Sequence, residues 1–125
     1  MRHFGLIGFP LSHSFSPEYF KIKFQTLGVK NADYKAFEID DLNKLSKLIK
    51  THNLSGFNVT IPHKQNIIPY LDEFSPEAKA IGSVNCVNVV EGRLIGYNTD
   101  EYGFRTSLNR LIGDDNIQKA LVLGN

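Results

Sequence analysis

The chain has 125 residues, the length of one domain, and its 42% hydrophobic and 22% charged residues are ordinary for a globular protein with a buried core. Fourteen lysine and arginine residues against thirteen acidic residues give a net charge of +1, and no basic run is interleaved with aromatic side chains, which argues against a nucleic-acid partner. The single cysteine, Cys86, excludes an internal disulfide and any cysteine-based zinc site, and it suits the reducing cytoplasm.

The first predicted elements are a strand, a loop and a helix. The apolar run 4–9 is ended by Pro10 and predicts a buried strand. The loop after it is rich in hydroxyl groups and leads into a helix, because Ser16 is a good N-cap and Pro17 suits the first helical position. The apolar face of this helix is expected to consist of Phe20, Phe24 and Leu27, with Gly28 as its stop.

A second strand and a second helix follow. Residues 33–39 have moderate strand character, and Asp40 is placed to cap the helix after them. Together with a third strand at 57–61, this βαβα order predicts an α/β domain in three layers, with a mixed, largely parallel sheet flanked by helices. The apolar stripe of the second helix is expected to be Leu42, Leu45, Leu48 and Ile49.

The third strand carries the candidate chemistry. Apolar Phe57, Val59 and Ile61 alternate with polar residues, which is the pattern of a strand with one buried face. Pro62 ends the strand, so Lys64 lies just beyond its tip, where α/β folds keep their functional groups. The polar residues below this lysine, which are expected to meet a polar substrate, are Asn58 and Thr60. Taken alone, the stretch is equally compatible with a surface lysine and strand-end turn residues.

Two short helices are predicted before the last strands. The first follows Lys64 and ends at Pro69. The second opens at Ser75-Pro76-Glu77, which repeats the order of cap, proline and acid, and it closes at Gly82.

A β-hairpin is predicted for residues 83–100. The segments 84–90 and 93–98 are rich in β-forming residues, and Glu91-Gly92 is a plausible two-residue turn between them. A turn this tight places Asn85 opposite Asn98, so Asn85 and Asp100 converge at one end of the sheet. A last helix is expected over 101–112, with Gly113 as its end.

The final seven residues resemble the start of a nucleotide-binding unit. A basic residue, an apolar run and a glycine (119–124) predict a buried strand whose last glycine would open a dinucleotide fingerprint, making Gly124 and Asn125 candidate cofactor-binding residues. The alternative is an added strand of the main sheet. We expect a longer protein, with a substrate-binding domain at 1–112 and, at 113–125, a linker and the first strand of a truncated Rossmann domain.

Membrane and metal signals are weak in this sequence. No stretch approaches the ~20 consecutive apolar residues that a membrane-spanning helix requires, and the N-terminus has no long apolar signal region. The four histidines show neither an i,i+4 pair nor other ligand spacing, so no metal site is expected.

Four stretches of the chain carry a family resemblance. They read GFPLSHSFSP at 8–17, GFNVTIPHK at 56–64, AIGSVN at 80–85 and GRLIGYNTD at 92–100. In order and spacing they resemble the shikimate dehydrogenase family, and the resemblance covers the whole chain as the N-terminal substrate domain of a two-domain dehydrogenase. Cys86 stands where the family usually has threonine, and Phe20 where it often has histidine; both departures are interpreted as structural.

The resemblance implies a reaction and a role for each candidate residue. The reaction is reversible NADPH-dependent reduction of 3-dehydroshikimate to shikimate, on the route to chorismate and the aromatic amino acids, with NADP bound mainly by a C-terminal domain. Lys64 is the implied acid/base group, oriented by Asp100. The implied binding residues are Ser14 and Ser16 for the substrate carboxylate, Thr60, Asn85 and Asp100 for ring hydroxyls, and Asn58 as a weaker candidate.

Two other functions stay open at this point. A quinate/shikimate dehydrogenase would share nearly every motif, although Ser14 and Ser16 favour shikimate. A non-catalytic module that binds a small molecule is the alternative of another class, and the combination of Lys64 with Asp100 argues against it because binding alone needs no proton transfer. The protein is expected to be a monomer or a homodimer.

Overall fold

A computed structural model describes residues 1–124, in which six strands form one mixed sheet. The strands are β1 (Arg2–Gly8), β2 (Ala32–Glu38), β3 (Leu54–Val59), β4 (Glu73–Phe74), β5 (Cys86–Val90) and β6 (Arg93–Tyr97). Their order across the sheet is β2-β1-β3-β5-β6-β4. Strand β1 pairs in parallel with β2 and β3, and β4 pairs in parallel with β6, whereas β5 is antiparallel to both of its neighbours. The predicted α/β fold with a mixed sheet is confirmed.

Helices connect these strands in the predicted order. They are α1 (Ser16–Thr26), α2 (Leu45–His52), α3 (His63–Asn66), α4 (Pro76–Ile81) and α5 (Asp100–Ile112). A 3₁₀ turn at Leu42–Lys44 leads into α2, and a second at Ile68–Tyr70 follows α3. Lys64 therefore lies inside α3, which begins at His63, whereas the sequence predicts a helix that starts after Lys64.

The main core lies between the central strands and α2. The strand register places Ile7 beside Val59 and Phe57 beside Val87, and all four side chains are buried in one cluster with Leu45 of α2. Burying each such side chain stabilises the fold by about 1.5–3 kcal/mol. The predicted apolar stripe of α2 is confirmed, because its four residues all belong to this cluster or pack against it.

The third strand ends earlier than its alternation suggests. Ile61, expected on the buried face, is 75% exposed. Val59 is the last residue of β3, and the Thr60 amide makes one further hydrogen bond to the Ile7 carbonyl before the chain leaves the sheet. The prediction for Ile61 is wrong because this residue already belongs to the connection to α3.

Aromatic side chains join α1 to the other face of the sheet. The Phe20 ring stacks on Tyr34 with 4.3 Å between ring centroids, and Phe24 lies 6.5 Å from Phe4. The third predicted member of this face, Leu27, is 64% exposed. That prediction is wrong because α1 ends at Thr26 and Leu27 is its C-cap, after which Gly28 adopts φ +64°.

Two of the predicted N-caps differ from the structure. Ser16 is the first residue of α1 and makes no capping hydrogen bond, so the helix starts without a side-chain cap. Asp41 rather than Asp40 caps the turn before α2, where its carboxylate accepts from the Asn43 amide. Asp40 instead pairs with Lys44 at 2.5 Å, which lowers the pKa of the Asp40 carboxyl through hydrogen bonding and charge. A serine or aspartate near the start of a helix therefore does not by itself identify the residue whose side chain will accept the capping hydrogen bond.

The later turns and caps agree with the sequence. The Ser75 hydroxyl accepts from the Ala78 amide at the start of α4, and Gly82 ends that helix with φ +70°. In the hairpin, Cys86 faces Tyr97, and Glu91 and Gly92 have φ of 50° and 80° as a type I′ turn requires. The predicted hairpin register is confirmed.

The C-terminal segment does not form the predicted strand within the described residues. Residues 114–124 have no regular secondary structure, and the apolar run consisting of Leu121, Val122 and Leu123 is more than 80% exposed. The alternative of a strand added to the main sheet is wrong, because none of the six strands pairs with these residues, whereas the first strand of a Rossmann domain stays a prediction. Asn125 lies outside the described residues. In the part of the chain that the structure describes, no helix is both long and apolar enough to span a membrane.

Candidate active site

The candidate site residues come from connections that meet at one edge of the sheet. Strands β1 and β3 are parallel neighbours, so the loop after β1 and the loop after β3 leave from the same edge. Strand β5 is antiparallel to β3 and begins at this edge, and β6 ends there. The connection after β1 carries Ser14 and Ser16, and the connection after β3 carries Thr60 and Lys64. Asn85 directly precedes β5, and Asp100 follows β6.

An ion pair joins two of these connections. The Lys64 ammonium in α3 donates to the Asp100 carboxylate at the start of α5, with Nζ and Oδ2 2.6 Å apart. The side chains are 35% and 55% exposed, so the pair is accessible from solvent. The predicted pairing of these two residues is confirmed, and it holds an ammonium group at the open edge of the sheet.

The backbone on both sides of Lys64 is held rigidly. His63 is buried, and its Nε2–H donates to the Ile39 carbonyl at 2.6 Å, because a carbonyl oxygen can only accept. The Val84 amide donates to the Lys64 carbonyl at 2.8 Å. Sequence reasoning missed His63, whose only signal was a histidine between Pro62 and Lys64 in the strand-ending motif. Its bond anchors α3 to the end of β2 and thereby positions Lys64.

Asn85 holds the residue that precedes Asp100. Its Oδ1 accepts from the Thr99 amide at 2.9 Å, and its Nδ2 donates to the Thr99 hydroxyl at 2.8 Å. The predicted convergence of Asn85 with Asp100 is therefore achieved through Thr99. The side chain of Asn98, which is only 9% exposed, fixes the same turn. Its Nδ2 donates to the Ser83 carbonyl, and its Oδ1 accepts from the Glu101 amide. Sequence reasoning did not assign roles to Thr99 and Asn98, although two polar residues directly after a strand and before a helix are typical of such turns.

Asn58 is tied to two other elements. The Tyr34 hydroxyl donates to its Oδ1 at 2.8 Å, and its Nδ2 donates to the Asn85 carbonyl at 3.3 Å. Burial, followed by the proximity of Cys86, raises the pKa of Tyr34 well above its usual range, and a nearby Ser16 hydroxyl acts in the opposite direction. The phenol therefore remains a neutral donor throughout the physiological pH range. Sequence reasoning missed Tyr34, which reads as an ordinary strand aromatic.

Thr60 lies against the first strand at a point where only glycine fits. A Cβ at Gly8 would lie 2.5 Å from the Thr60 methyl group and 2.9 Å from the Ile61 carbonyl. The Thr60 carbonyl accepts from the His63 amide at 2.9 Å, which turns the chain into α3. Gly8 thus allows the loop that carries Thr60 and Lys64 to pack directly on the end of β1.

The two serines form a separate part of the site. The Ser14 hydroxyl accepts from the Ser16 amide at 3.4 Å, and both residues are half-buried. Their loop is anchored at Leu11, a buried residue whose amide donates to the Glu38 carboxylate at 2.7 Å. Among the hydrogen bonds of residues 1–124, none links either serine to Lys64 or Asp100. The serines therefore offer polar groups at this edge independently of the ion pair.

The cofactor candidate Gly124 lies apart from this cluster. Gly124, with φ +105°, is in the exposed C-terminal segment, and the other cofactor candidate, Asn125, is not among the described residues. Residues 1–124 contain no group of three or more histidine, cysteine, aspartate or glutamate side chains able to hold a metal ion. Burial raises the pKa of the Cys86 thiol, so Cys86 is mainly a neutral group inside the sheet.

An α/β domain that presents a lysine–carboxylate pair, two amides and several hydroxyls at one sheet edge is a binding domain for a small polar molecule. The chain belongs to the shikimate dehydrogenase family, since the family model described as the shikimate dehydrogenase substrate binding domain matches residues 6–87. This match includes every predicted site residue from Ser14 to Asn85 and ends before Asp100.

Similar proteins extend the match to the whole chain. The chain is 47% identical to the shikimate dehydrogenase (NADP(+)) of Clostridium beijerinckii, covering 100% of this chain and 47% of that protein. Shikimate dehydrogenase 1 from Peptoclostridium difficile superposes with a TM-score of 0.82 at 45% identity, over 92% of this chain and 43% of that one. The shikimate 5-dehydrogenase from Thermus thermophilus, solved with NADP(H) and shikimate, gives a TM-score of 0.78 at 38% identity, over 88% and 42% of the two chains. The chain thus spans slightly less than half the length of these relatives.

Proposed function

We propose that this chain is the substrate-binding and catalytic part of an NADP-dependent shikimate dehydrogenase that reversibly reduces 3-dehydroshikimate to shikimate. The observation that carries the proposal is the Lys64–Asp100 pair, with Nζ and Oδ2 2.6 Å apart at the open edge of the sheet. Binding alone requires no proton donor, whereas reduction of a ketone requires one. The names of the similar proteins support the same reaction.

Lys64 is proposed to be the general acid for ketone reduction. Negative charge develops on the substrate oxygen as its carbon is reduced, and an ammonium within hydrogen-bond reach stabilises that charge and delivers the proton. Asp100 accepts one hydrogen bond from the ammonium, which leaves its other two N–H groups to face the substrate. In the reverse reaction the same amine accepts the proton of the shikimate hydroxyl.

The other residues are proposed to bind the substrate. Ser14 and Ser16 offer hydroxyl groups to the carboxylate, and both are half-buried in a loop anchored to Glu38. The ring hydroxyls are assigned to Thr60, Asn85 and Asp100, with a contribution from Asn58. Because Asn85 also bonds Thr99, its contact with substrate would use the one amide hydrogen that this pairing leaves over.

NADPH supplies the hydride when it is bound, and most of its binding site belongs to the part of the protein beyond this chain. Among the described residues, Gly124 fits the group, because its φ of +105° suits the glycine of a tight turn next to a phosphate. We propose that residues 1–112 form the substrate domain and that 113–125 lead into the cofactor domain. Gly124 and Asn125 would then begin the nucleotide fingerprint.

The cellular setting follows from the same proposal. A free and half-buried cysteine, Cys86, suits a cytoplasmic enzyme of aromatic amino acid biosynthesis. We propose that the protein acts as a monomer or a homodimer.

The test is an assay of the full-length protein. We expect shikimate-dependent reduction of NADP, with weaker reduction of NAD and with little turnover of quinate. Turnover of quinate at a comparable kcat/KM would make the protein a quinate/shikimate dehydrogenase. Shikimate binding by calorimetry without reduction of either nucleotide would contradict the proposed enzyme and favour a non-catalytic binding module.

A further inference from the structure

Tyr34 lies outside the family motifs yet contacts the site directly. Its strand, β2, is next to β1, and its side chain reaches across β1 to Asn58 on β3, where the phenol hydroxyl donates to Oδ1 at 2.8 Å. Tyr34 is therefore linked directly to the strand that precedes Lys64.

The Asn58 amide is held at both of its ends. The Asn85 carbonyl can only accept, so it takes the Nδ2 hydrogen at 3.3 Å and leaves Oδ1 on the other side, where the Tyr34 hydroxyl donates to it at 2.8 Å. The Asn85 carbonyl also accepts from the Val59 amide at 2.9 Å. Without the phenol hydroxyl, Oδ1 would lose the hydrogen bond that it makes within the described residues, and the longer Nδ2 bond alone would hold the amide.

The ring of Tyr34 is itself held by packing. Phe20 of α1 stacks on it with 4.3 Å between centroids and 14° between ring planes, and Phe20 in turn lies against Phe24. This stack sets the ring plane and hence the direction of the hydroxyl. Phe20, one of the two positions expected to depart from the usual family pattern, thus supports the tyrosine.

We propose that Tyr34 is a positioning residue that presents the Asn58 amide to the substrate and thereby contributes to recognition of a ring hydroxyl. The inference rests on the proposed function, because it assigns Tyr34 a part in binding the same substrate. Tyr34 does not touch the reacting atoms and acts only through Asn58. Its phenol stays protonated in the working pH range because burial raises the pKa of Tyr34.

The test is a double-mutant cycle in the full-length enzyme. Tyr34→Phe keeps the stacked ring and removes only the hydroxyl. We expect it to lower kcat/KM for shikimate about tenfold, the scale of one lost hydrogen bond, mainly through KM. In the Asn58→Ala background the same change should cost less than about twofold, because the residue through which Tyr34 acts is gone.

A matched control is available at Tyr70, which is not among the residues assigned to the site. Tyr70 donates to Asn43 Oδ1 at 3.2 Å, so Tyr70→Phe removes the same kind of hydrogen bond, and we expect it to leave kcat/KM unchanged. An equal loss from Tyr34→Phe in both backgrounds, or no loss in the wild-type background, would overturn the role of Tyr34. A full-length wild type that fails to oxidise shikimate would instead overturn the proposed function, and this inference with it.

Discussion

The Lys64 ammonium lies 2.6 Å from the Asp100 carboxylate, across 36 positions of the chain. At 35% and 55% side-chain exposure, such an ion pair contributes only about 0–1 kcal/mol to stability. Its consequence is therefore geometric. Asp100 sets the direction of the ammonium, while the buried His63 beside Lys64 fixes the backbone from which the side chain extends.

The first prediction concerns the proton donor. Lys64→Ala in the full-length enzyme should lower kcat by about 10²–10⁴-fold, the usual scale for a lost general acid or base. KM should change much less, because the ammonium acts mainly on charge that develops in the transition state. Steady-state kinetics of shikimate oxidation measure both constants. A large rise in KM with kcat nearly intact would mean that Lys64 binds substrate and transition state equally.

A second prediction tests the close packing at the end of β1. Gly8→Ala places a Cβ 2.5 Å from the Thr60 methyl group and 2.9 Å from a backbone oxygen. We expect it to destabilise the protein by about 1–3 kcal/mol in urea unfolding and to lower kcat/KM as the Thr60 loop is displaced. Gly103→Ala is the control, since a Cβ in that helix has no atom within 4 Å. It should be neutral or stabilise by up to about 1 kcal/mol.

Local rules predicted much of this site from the sequence. The Glu91-Gly92 turn sets the hairpin register, and the register places Asn85 opposite the residues that lead into Asp100. Proline at the end of β3 likewise places Lys64 at the sheet edge. These features depend on backbone geometry within a few residues, so sequence patterns specify them directly.

The features that sequence reasoning missed depend on contacts between distant segments. Tyr34 reaches Asn58 across an intervening strand, and His63 reaches Ile39 at the end of another, so nothing near either residue indicates its partner. The run 121–123 is predicted as a strand from a local pattern, a basic residue followed by an apolar run and a glycine. A strand forms only where another strand accepts its hydrogen bonds, and none of the six does so here.

The serines give a third prediction. Ser14→Ala and Ser16→Ala should each remove one charge-assisted hydrogen bond to the substrate carboxylate, a loss of about 1.5–3 kcal/mol that appears mainly as a raised KM. Ser16→Ala is the cleaner change, because Ser16 does not cap α1, whereas the Ser14 hydroxyl accepts from the Ser16 amide. Ser12→Ala, at an exposed position in the same loop, serves as the control. Unchanged kinetics in the Ser14/Ser16 double variant would remove both serines from the site.

A fourth prediction concerns the pH dependence of stability. Burial raises the pKa of the Cys86 thiol in the folded protein, whereas an unfolded thiol titrates near about 8.5. Above that pH the unfolded state releases a proton that the folded state retains, so the contribution of Cys86 to stability is lost as pH rises toward the folded pKa. Between about pH 7.5 and about pH 9.5, Cys86→Ala should therefore lose less unfolding free energy than the wild type. Equal losses in urea titrations would contradict this.

The last prediction tests whether Asp100 acts through Lys64. Asp100→Asn keeps the shape of the side chain and removes the charge that directs the ammonium, so kcat should fall in the single variant. In the Lys64→Ala background the same change should cost much less, because its partner is absent. Glu73→Gln is a matched control, since it neutralises the carboxylate of a remote and similarly exposed ion pair with Arg93 and should leave kcat unchanged. If the Lys64 and Asp100 losses multiply fully in the double variant, Asp100 acts independently, as a partner for a substrate hydroxyl, and the ion pair is not the means by which it supports catalysis.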